Sequence, residues 1–314
     1  MTTYRLPLGR VKGPALAGLL LALAVGVFWE SPAVAGFSQG GPTGFDSNKA
    51  WEHLRQQVSI GPRPSGTPAN VKTRDYIKAQ MTALGIKVTE QPFDGATPLG
   101  PVKMVNLLAT IPGKSPDRII LASHFDTKLF RDVRFVGASD SASSTAALIE
   151  IGRVLKARKD LPFTYELLFL DGEEAVIEWQ GTDNTYGSRH YVDAARKSGS
   201  LKSIKAFILL DMIGDRDLTI RRESNSTRWL TDIVWGVAKK LKQPAFMDEE
   251  TTVEDDHIPF VKAGVASLDI IDLDYPQWHT AQDTIEHVAA RSLQIVGDVV
   301  VESLPLIEQR LLKN

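Results

Sequence analysis

Acidic and imidazole side chains stand where short apolar runs of this sequence end. The chain contains no cysteine, so any metal that it binds must be held by nitrogen and oxygen atoms. A His/Asp/Glu set of this kind is what a catalytic zinc site uses, with three protein ligands and one open position for water or substrate. We therefore consider metal-assisted catalysis first. The set comprises His124, Asp126, Asp140, Asp171, Glu173, Glu174, Asp211 and His279.

These side chains can meet only if the apolar runs form neighbouring strands. Runs such as 118–122 and 166–170 are continuously apolar after a charged first residue, which is typical of strands buried on both faces. Helical periodicity between the runs suits crossover helices, so we expect a single α/β domain with a central mixed, mainly parallel twisted sheet and helices on both faces. In such sheets, ligands bind beyond the carboxyl ends of the strands, where the polar set falls. The predicted strands are 86–92, 103–111, 118–123, 164–170, 205–212 and 265–271, and the predicted helices lie near 46–57, 69–84, 142–157, 184–198, 226–241 and 288–311.

Most members of the set also have an ordinary structural explanation. His124 and Asp126 could hydrogen-bond each other on one face of a strand. Asp140 could cap the helix that follows it. Adjacent Glu173 and Glu174 could form a solvated acidic turn. Such separate explanations do not predict that all of the residues fall at one edge of a sheet, and this joint placement favours a site.

The composition is that of an ordinary globular protein and excludes several functions. The chain has 314 residues, of which 43% are hydrophobic and 24% charged, with a formal net charge of -2. This balance provides no overall attraction to polyanions, so we expect no nucleic-acid partner. The lack of cysteine excludes disulfides, thiolate metal sites and cysteine nucleophiles.

The N-terminus has the three-part layout of a secretory signal. Basic residues precede an apolar run over 14–28, and Ala33 and Ala35 fit the small-residue rule for cleavage. We therefore expect export to the periplasm or beyond, and a monomer with no stable membrane association after cleavage; an uncleaved N-terminal anchor is the alternative. The predicted divisions are a signal peptide at 1–35, a flexible leader at 36–45 and a zinc-dependent catalytic domain at 46–314.

Several blocks of the sequence resemble those of a known enzyme family. Four of them resemble zinc-dependent aminopeptidases with a single α/β domain: 123–128 (SHFDTK), 137–142 (GASDSA), 169–175 (FLDGEEA) and 210–214 (LDMIG). Further blocks resemble, more specifically, the glutaminyl-peptide cyclotransferases, or glutaminyl cyclases, which share that fold: Trp179 with 184–190 (NTYGSRH), 254–260 (EDDHIPF) and 275–280 (YPQWHT). The likeness extends from about Ala50 to the C-terminus.

The resemblance implies a site for one zinc ion per chain. It implies that Glu173 is the general acid and base, and that Asp211 and Asp255 form a carboxylate network beside it. The implied zinc ligands are Asp140, Glu174 and His279.

The resemblance also implies an aromatic substrate pocket. Trp179 and Trp278 would line it together with Tyr275, which stands where the animal members carry Phe. The implied partners are peptides or proteins with an N-terminal glutamine. The implied reaction closes that residue to pyroglutamate and releases ammonia, and positioning of the peptide's own α-amine matters more than nucleophile strength.

A two-zinc exported aminopeptidase is the main alternative. There, His124 and Asp211 would hold a second ion, Asp140 would bridge the two ions and Glu173 would activate a water. All of these residues are present, so ligand identity does not decide; the aromatic residues and Asp255 favour the cyclase, in which His124 is not expected to bind metal. A metal-bearing protein that only captures peptide N-termini is a further alternative, against which the retained Glu173 argues.

Two other acidic stretches have structural explanations. Asp255, Asp256 and His257 could serve to cap the short helix predicted from Ile258. The cluster Asp269, Asp272 and Asp274 is expected to be a solvated loop wall rather than a second metal site.

Overall fold

The protein is described by a computed structural model over residues 43–313, and the predicted signal peptide and residues 36–42 of the predicted leader lie outside this range. All six predicted helices and all six predicted strands are present with shifted ends. Within the described range, no helix is both long and apolar enough to cross a bilayer. The helices are α1 Ser47–Ile60, α2 Pro68–Ala83, α3 Ser144–Ala157, α4 Tyr186–Ser198, α5 Arg228–Lys240, α6 His257–Lys262 and α7 Ala290–Leu311, and the strands are β1 Lys87–Thr97, β2 Gly100–Ile111, β3 Ser115–His124, β4 Phe163–Leu170, β5 Ile204–Asp211, β6 Ile220–Glu223, β7 Phe246–Thr251 and β8 Ser267–Ile271.

A six-stranded sheet in the order β1-β2-β4-β3-β5-β8 forms the centre of the fold. β1, β2 and β4 pair antiparallel, whereas β4, β3, β5 and β8 pair parallel, so the predicted mixed, mainly parallel sheet is confirmed. In register, Leu121 of β3 lies between Leu167 of β4 and Ile208 of β5. Because the four parallel strands run in one direction, their carboxyl ends share one edge of the sheet.

Helices cover both faces of this sheet. Ile119 and Leu121 of β3 face the larger hydrophobic core, which includes side chains of α1, α2, α3, α5 and α7. Ile120 and Ala122 face the smaller core, to which α4 and α6 contribute. Alternate side chains of a strand point to opposite faces, so burial on both sides explains why residues 119–122 of β3 are all apolar.

Two strands and a wide turn have no counterpart among the sequence predictions, whereas α6 corresponds to the short helix predicted from Ile258 and begins at His257. β6 and β7 form a small parallel sheet of their own, and their charged sequences, IRRE and FMDEET, contain no apolar run that would mark a strand. An irregular wide turn, Ala138–Ser143, leads into α3 and contains Asp140. Ser143, not Asp140, occupies the N-cap position of α3, so the capping explanation of Asp140 is wrong.

The end of the predicted flexible leader is anchored in the core. Phe45 is completely buried, and a Cβ built on Gly297 of α7 would lie 2.6 Å from its ring. Thr43 donates a hydrogen bond to Asp298 of the same helix, and the Asp46 backbone N–H donates to Glu150 Oε1 at 2.9 Å. The leader prediction is therefore wrong for residues 43–45, because a lone aromatic residue in a glycine-rich stretch gave no periodic signal.

Candidate active site

The carboxyl edge of the parallel strands brings the polar set together. His124 is the last residue of β3 and Asp211 the last of β5, while Glu173 and Glu174 follow β4 by a short turn. All four side chains are buried, so the solvated-turn explanation of the two glutamates is wrong. Asp140 reaches the same place from the turn before α3. The structure thus places these residues at one sheet edge, as the sequence predicts.

Asp140, Glu174 and His279 form a compact set of possible metal ligands. One ligand atom from each lies within 4.8 Å of the others. His279 Nε2 is 3.4 Å from Asp140 Oδ2 and 3.3 Å from Glu174 Oε2. Ligand atoms around a tetrahedral zinc ion with bonds of about 2.1 Å lie about 3.4 Å apart. The three groups therefore fit the spacing that a single zinc ion requires.

The polar surroundings of these three side chains also suit a cation. Glu174 Oε2 is buried and has no hydrogen-bond partner within the described chain, and such an orphaned atom is costly unless something binds it. Burial alone would lower the pKa of His279, but the neighbouring carboxylates Asp140 and Glu174 raise it to about 9. The same negative potential that favours a proton on this imidazole would favour a metal ion beside it.

His124 belongs to a second set that shares Asp140. Its Nε2 is 3.2 Å from Asp140 Oδ1 and 3.1 Å from Asp211 Oδ1, and its Nδ1 is 3.4 Å from Asp126 Oδ1. Burial lowers the pKa of His124, but Asp211 and Glu173 raise it well above its ordinary value. A positively charged imidazole would hold these carboxylates together, and the same atoms would also hold a second metal ion.

Glu173 is the buried carboxyl whose surroundings best suit proton transfer. Burial raises its pKa well above the ordinary value; His124 opposes this rise, and the nearby carboxylates of Asp255 and Glu174 add to it. Burial also raises the pKa of Asp211 to about 7, again against the effect of His124. Carboxyls that hold a proton near neutral pH can both accept and donate one during a reaction.

These side chains form part of the wall of a cavity of about 650 Å³. Trp179 and Trp278 stand at its surface with 38% and 45% of their areas exposed, unusually high for tryptophan. The Trp278 ring stacks on the His279 imidazole, with ring centroids 4.4 Å apart. An apolar cavity with a few convergent polar groups is typical of a small-molecule or peptide-end site. Further wall residues are Asp140, Glu173, Glu174, Asp211, Met212, Val253, Asp255, Ile271, Leu273 and His279.

Tyr275 takes a different position from the one expected of a pocket residue. Its side chain is buried and packs with Met212 and Ile271, which themselves line the cavity. Its hydroxyl donates a hydrogen bond to Asp283 Oδ1 at 2.8 Å. Tyr275 therefore supports the cavity wall from behind and is absent from its lining.

The two acidic stretches that follow β7 are also placed differently from the prediction. Asp269 lies within β8 and Asp272 just after it, and both are completely buried rather than solvated. Asp256 occupies the N-cap position of α6 without a capping hydrogen bond, and its Oδ1 accepts from Ser188 instead. The capping explanation of Asp256 and the solvated-wall explanation of Asp269 and Asp272 are therefore wrong, whereas Asp274 is exposed as predicted.

Two buried residues that the sequence did not single out hold the turn that contains Asp140. The Arg63 guanidinium is fully buried and donates to the backbone oxygens of Phe125 and Val136 at 2.8 and 2.6 Å. Asp283 accepts hydrogen bonds from the backbone N–H groups of Ser139 and Asp140. An arginine inside the Pro- and Gly-rich loop 61–68 was the available signal for the first; nothing local marks the second.

Asp171, a member of the polar set, points away from the cavity. It accepts hydrogen bonds from Ser65, Asn70 and the Val105 backbone at 2.6, 3.0 and 2.8 Å. This aspartate therefore ties the 61–68 loop and β2 to the end of β4, and it is not among the possible metal ligands.

Comparison with known proteins identifies the family. The model of peptidase family M28 matches residues 106–304. The glutaminyl-peptide cyclotransferase-like protein of Bos taurus is 30% identical over 314 residues, covering 90% of this chain and 78% of the relative. The chain belongs to peptidase family M28, among the glutaminyl-peptide cyclotransferases. The resemblance inferred from the sequence blocks is confirmed.

Solved structures agree with this assignment. Glutaminyl cyclase from an Acidobacteriales bacterium is 42% identical with a TM-score of 0.82, covering 87% of this chain and 98% of that one. A leucine aminopeptidase precursor from Bacteroides thetaiotaomicron is 29% identical with a TM-score of 0.75, covering 82% of this chain and 96% of that one. The fold is therefore shared by proteins described as cyclases and as peptidases, and the choice between the two activities depends on the site.

Proposed function

We propose that this protein cyclises the N-terminal glutamine of peptides or proteins to pyroglutamate and releases ammonia. The observation on which the proposal rests is the placement of Glu173, a buried carboxyl with a raised pKa, in a tryptophan-walled cavity beside the Asp140, Glu174 and His279 set. The similarity to proteins described as glutaminyl-peptide cyclotransferases and glutaminyl cyclases supports it.

Asp140, Glu174 and His279 would hold one zinc ion. When bound, that ion supplies Lewis-acid polarisation of the γ-carboxamide oxygen and stabilises the negative charge that develops there. Two observations support a zinc ion here. His279 Nε2 lies 3.3–3.4 Å from the two carboxylates, and Glu174 Oε2 has no hydrogen-bond partner in the described chain.

Glu173 would move the proton that the reaction needs. The α-amine attacks the γ-carboxamide carbon, a new C–N bond forms and the bond to the amide nitrogen breaks. The amine must lose a proton and the leaving nitrogen must gain one, so one carboxyl can perform both transfers and the nitrogen departs as ammonia. The carboxylates of Asp255 and Glu174, in the same wall, favour the protonated form of Glu173, and Asp211 lines the wall beside them.

The tryptophans would position the reacting ends. Trp179 and Trp278 offer flat apolar surfaces that can hold the glutamine stem and exclude water. Closing a five-membered ring within one residue depends on holding the amine against the carboxamide carbon, and restricting this motion lowers the barrier without any additional catalytic group.

A two-zinc aminopeptidase is the second candidate function. His124 Nε2 lies within 3.2 Å of both Asp140 and Asp211, which is the arrangement a second ion would use. The similarity to the Bacteroides leucine aminopeptidase precursor favours the same possibility.

Incubation of the purified protein with a short peptide bearing an N-terminal glutamine tests the two functions. We expect ammonia release and a product lighter by one ammonia, with no peptide-bond cleavage, and loss of activity with a chelator that zinc restores. Free glutamine and a peptide shortened by one residue would instead establish the aminopeptidase. A control peptide with N-terminal asparagine separates the two chemistries, since an aminopeptidase can still shorten it.

We also propose that the protein acts outside the cytoplasm, because residues 1–35 have the layout of a secretory signal. To test this, the full-length chain is expressed, the cells are separated into cytosolic, membrane and secreted fractions, and the intact mass of the protein in each fraction is measured. Processing after Ala35 is expected in the secreted fraction, whereas full-length chain in membranes would establish an N-terminal anchor.

A further inference from the structure

A second polar cluster lies inside the protein beyond the Asp255 wall of the cavity. It consists of Asp255, Asp256, His257, Asp269 and Glu223, and every one of these side chains is buried, three of the residues completely. Only Asp255 is part of the cavity wall. The proposed reaction uses none of the other four.

The polar atoms of this cluster are unusually short of partners. His257 Nδ1, both carboxylate oxygens of Asp269, Asp255 Oδ2 and Asp256 Oδ2 are buried without a hydrogen-bond partner in the described chain, whereas His257 Nε2 faces Glu223 Oε2 at 3.2 Å. Leaving a buried polar atom unpaired costs about 1–3 kcal/mol, and more if it is charged. Five such atoms in one place call for an occupant.

The spacing of these atoms matches metal ligation better than hydrogen bonding. His257 Nδ1 lies 3.5 Å from Asp269 Oδ2, too far for a normal hydrogen bond. Ligand atoms of a tetrahedral zinc ion lie about 3.4 Å apart, and the cavity ligands His279 Nε2 and Asp140 Oδ2 are separated by 3.4 Å. One atom each of Asp255, His257 and Asp269 fall within 4.8 Å of one another.

The charge of the cluster also requires a cation. Four carboxyl groups surround one imidazole, and no lysine or arginine among residues 43–313 forms an ion pair with any of them. Glu223 is the exception in being well paired, because it accepts hydrogen bonds from Asn225 and Ser226. Buried carboxylates without paired cations are expensive, so the others must be neutralised by protons or by a metal ion.

We propose that His257 Nδ1 and the carboxylates of Asp255 and Asp269 bind a second, structural divalent cation, of which zinc suits the mixed nitrogen and oxygen ligands best. Glu223 Oε2, 3.2 Å from His257 Nε2, takes the position of the carboxylate that orients a metal-binding histidine through its other nitrogen. The ion joins the start of α6 to β8 and fixes Asp255 in the cavity wall. This site goes beyond the proposed cyclase activity and does not depend on it.

Metal content measured by inductively coupled plasma mass spectrometry tests the proposal. The full-length protein purified with zinc is expected to hold two ions per chain, and His257→Gln and Asp269→Asn are expected to hold one. Asp272→Asn, which alters an equally buried carboxyl outside the cluster, should still hold two. Two ions in wild type with the second lost in His124→Gln but kept in His257→Gln would overturn the proposal in favour of the two-zinc peptidase site.

A second measurement leaves the cluster intact and so does not depend on the folding of its variants. The triple variant His124→Gln, Glu174→Gln, His279→Gln disrupts both possible metal sets of the cavity, and the cluster can then be loaded with Co²⁺. One equivalent of bound Co²⁺ with visible absorption typical of four-coordinate cobalt is expected. A folded triple variant that binds no Co²⁺ and no Zn²⁺ would overturn the proposal, because the cluster would then be neutralised by protons. Ammonia release from an N-terminal glutamine peptide is measured in a separate assay. Its result bears on the proposed cyclase function and not on the metal site.

Discussion

Two adjacent glutamates take different partners in this site. Glu174 Oε2 lies 3.3 Å from His279 Nε2, whereas Glu173 Oε2 lies 3.8 Å from His124 Nδ1. Gly172, with a φ of +73°, makes the turn that directs them into the cavity after β4. Neighbouring residues in one loop can therefore divide metal binding and proton transfer between them.

Replacement of Glu173 tests its assigned role. Glu173→Gln keeps the shape of the side chain but cannot move a proton, so we expect the turnover number to fall by about 10²–10⁴-fold with metal content unchanged. Glu166→Gln is a matched control: this buried carboxyl lies on β4, the strand that precedes Glu173, and pairs with Arg118 away from the cavity. Steady-state kinetics with metal analysis checks both, and full activity of Glu173→Gln would refute the assignment.

His53 gives the stability a pH dependence that is separate from the site. Burial lowers its pKa to about 4 from 6.5. The unfolded chain therefore takes up this proton first as the pH falls, and stability is lost between pH 6.5 and 4. After allowance for the partial exposure of His53, we expect it to account for a loss of about 2 kcal/mol in the free energy of unfolding. Urea unfolding at pH 7 and pH 4.5 should show a smaller decrease for His53→Gln than for wild type; equal decreases would contradict this origin.

At the scale of elements, the packing of α4 against the end of β4 positions the glutamates. A Cβ on Gly187, in the first turn of α4, would lie 2.5 Å from Asn106 Oδ1 and 2.5 Å from the Asp171 backbone oxygen. The helix can approach this closely only because residue 187 has no side chain. The approach holds the backbone just before Glu173 in place.

Two glycine-to-alanine variants test this packing. Gly187→Ala should lower the free energy of unfolding by about 1–3 kcal/mol through overpacking. Gly236→Ala in α5 meets no atom within 4 Å and should raise it by about 0.5–1 kcal/mol through helix propensity. Chemical denaturation compares the two, and a loss of stability in both would show that the contact at Gly187 is not the cause.

The sequence predicts the elements whose burial leaves a pattern, and misses those that depend on distant contacts. β3 and β4 are apolar because both faces are covered, and the residues after them were correctly placed at one edge. The charged strands β6 and β7 carry no such pattern. Tyr275 and Asp269 were misplaced because their side-chain directions are set by partners in neighbouring segments, Asp283 and His257, which no local pattern reveals.

At the scale of the whole molecule, the first and last described segments pack together. Phe45 sits against Gly297 of α7, and Ser47 N–H donates to Gln294 Oε1 at 3.0 Å. α7 also contributes Leu293, Val296 and Val300 to the large core. The two ends of the domain therefore share one core.

Truncation of the Phe45 ring tests how much this closure contributes. Phe45→Ala should lower the free energy of unfolding by about 3–5 kcal/mol, because it leaves a cavity in a closely packed core. Leu99→Ala, which shortens a side chain that is 55% exposed, should change it by less than about 0.5 kcal/mol. Equal effects in urea titrations would show that residues 43–45 are not part of the cooperative unit.

The packing of Phe45 against α7 limits the order in which the chain can fold. A ribosome delivers residue 45 early and residue 297 near the end, so the contact between Phe45 and α7 cannot form until almost the whole polypeptide has been made. A chain that stays open throughout synthesis can be threaded through a narrow translocation pore, which a prematurely folded domain cannot enter. The late formation of this contact is therefore compatible with the export that we propose for the protein.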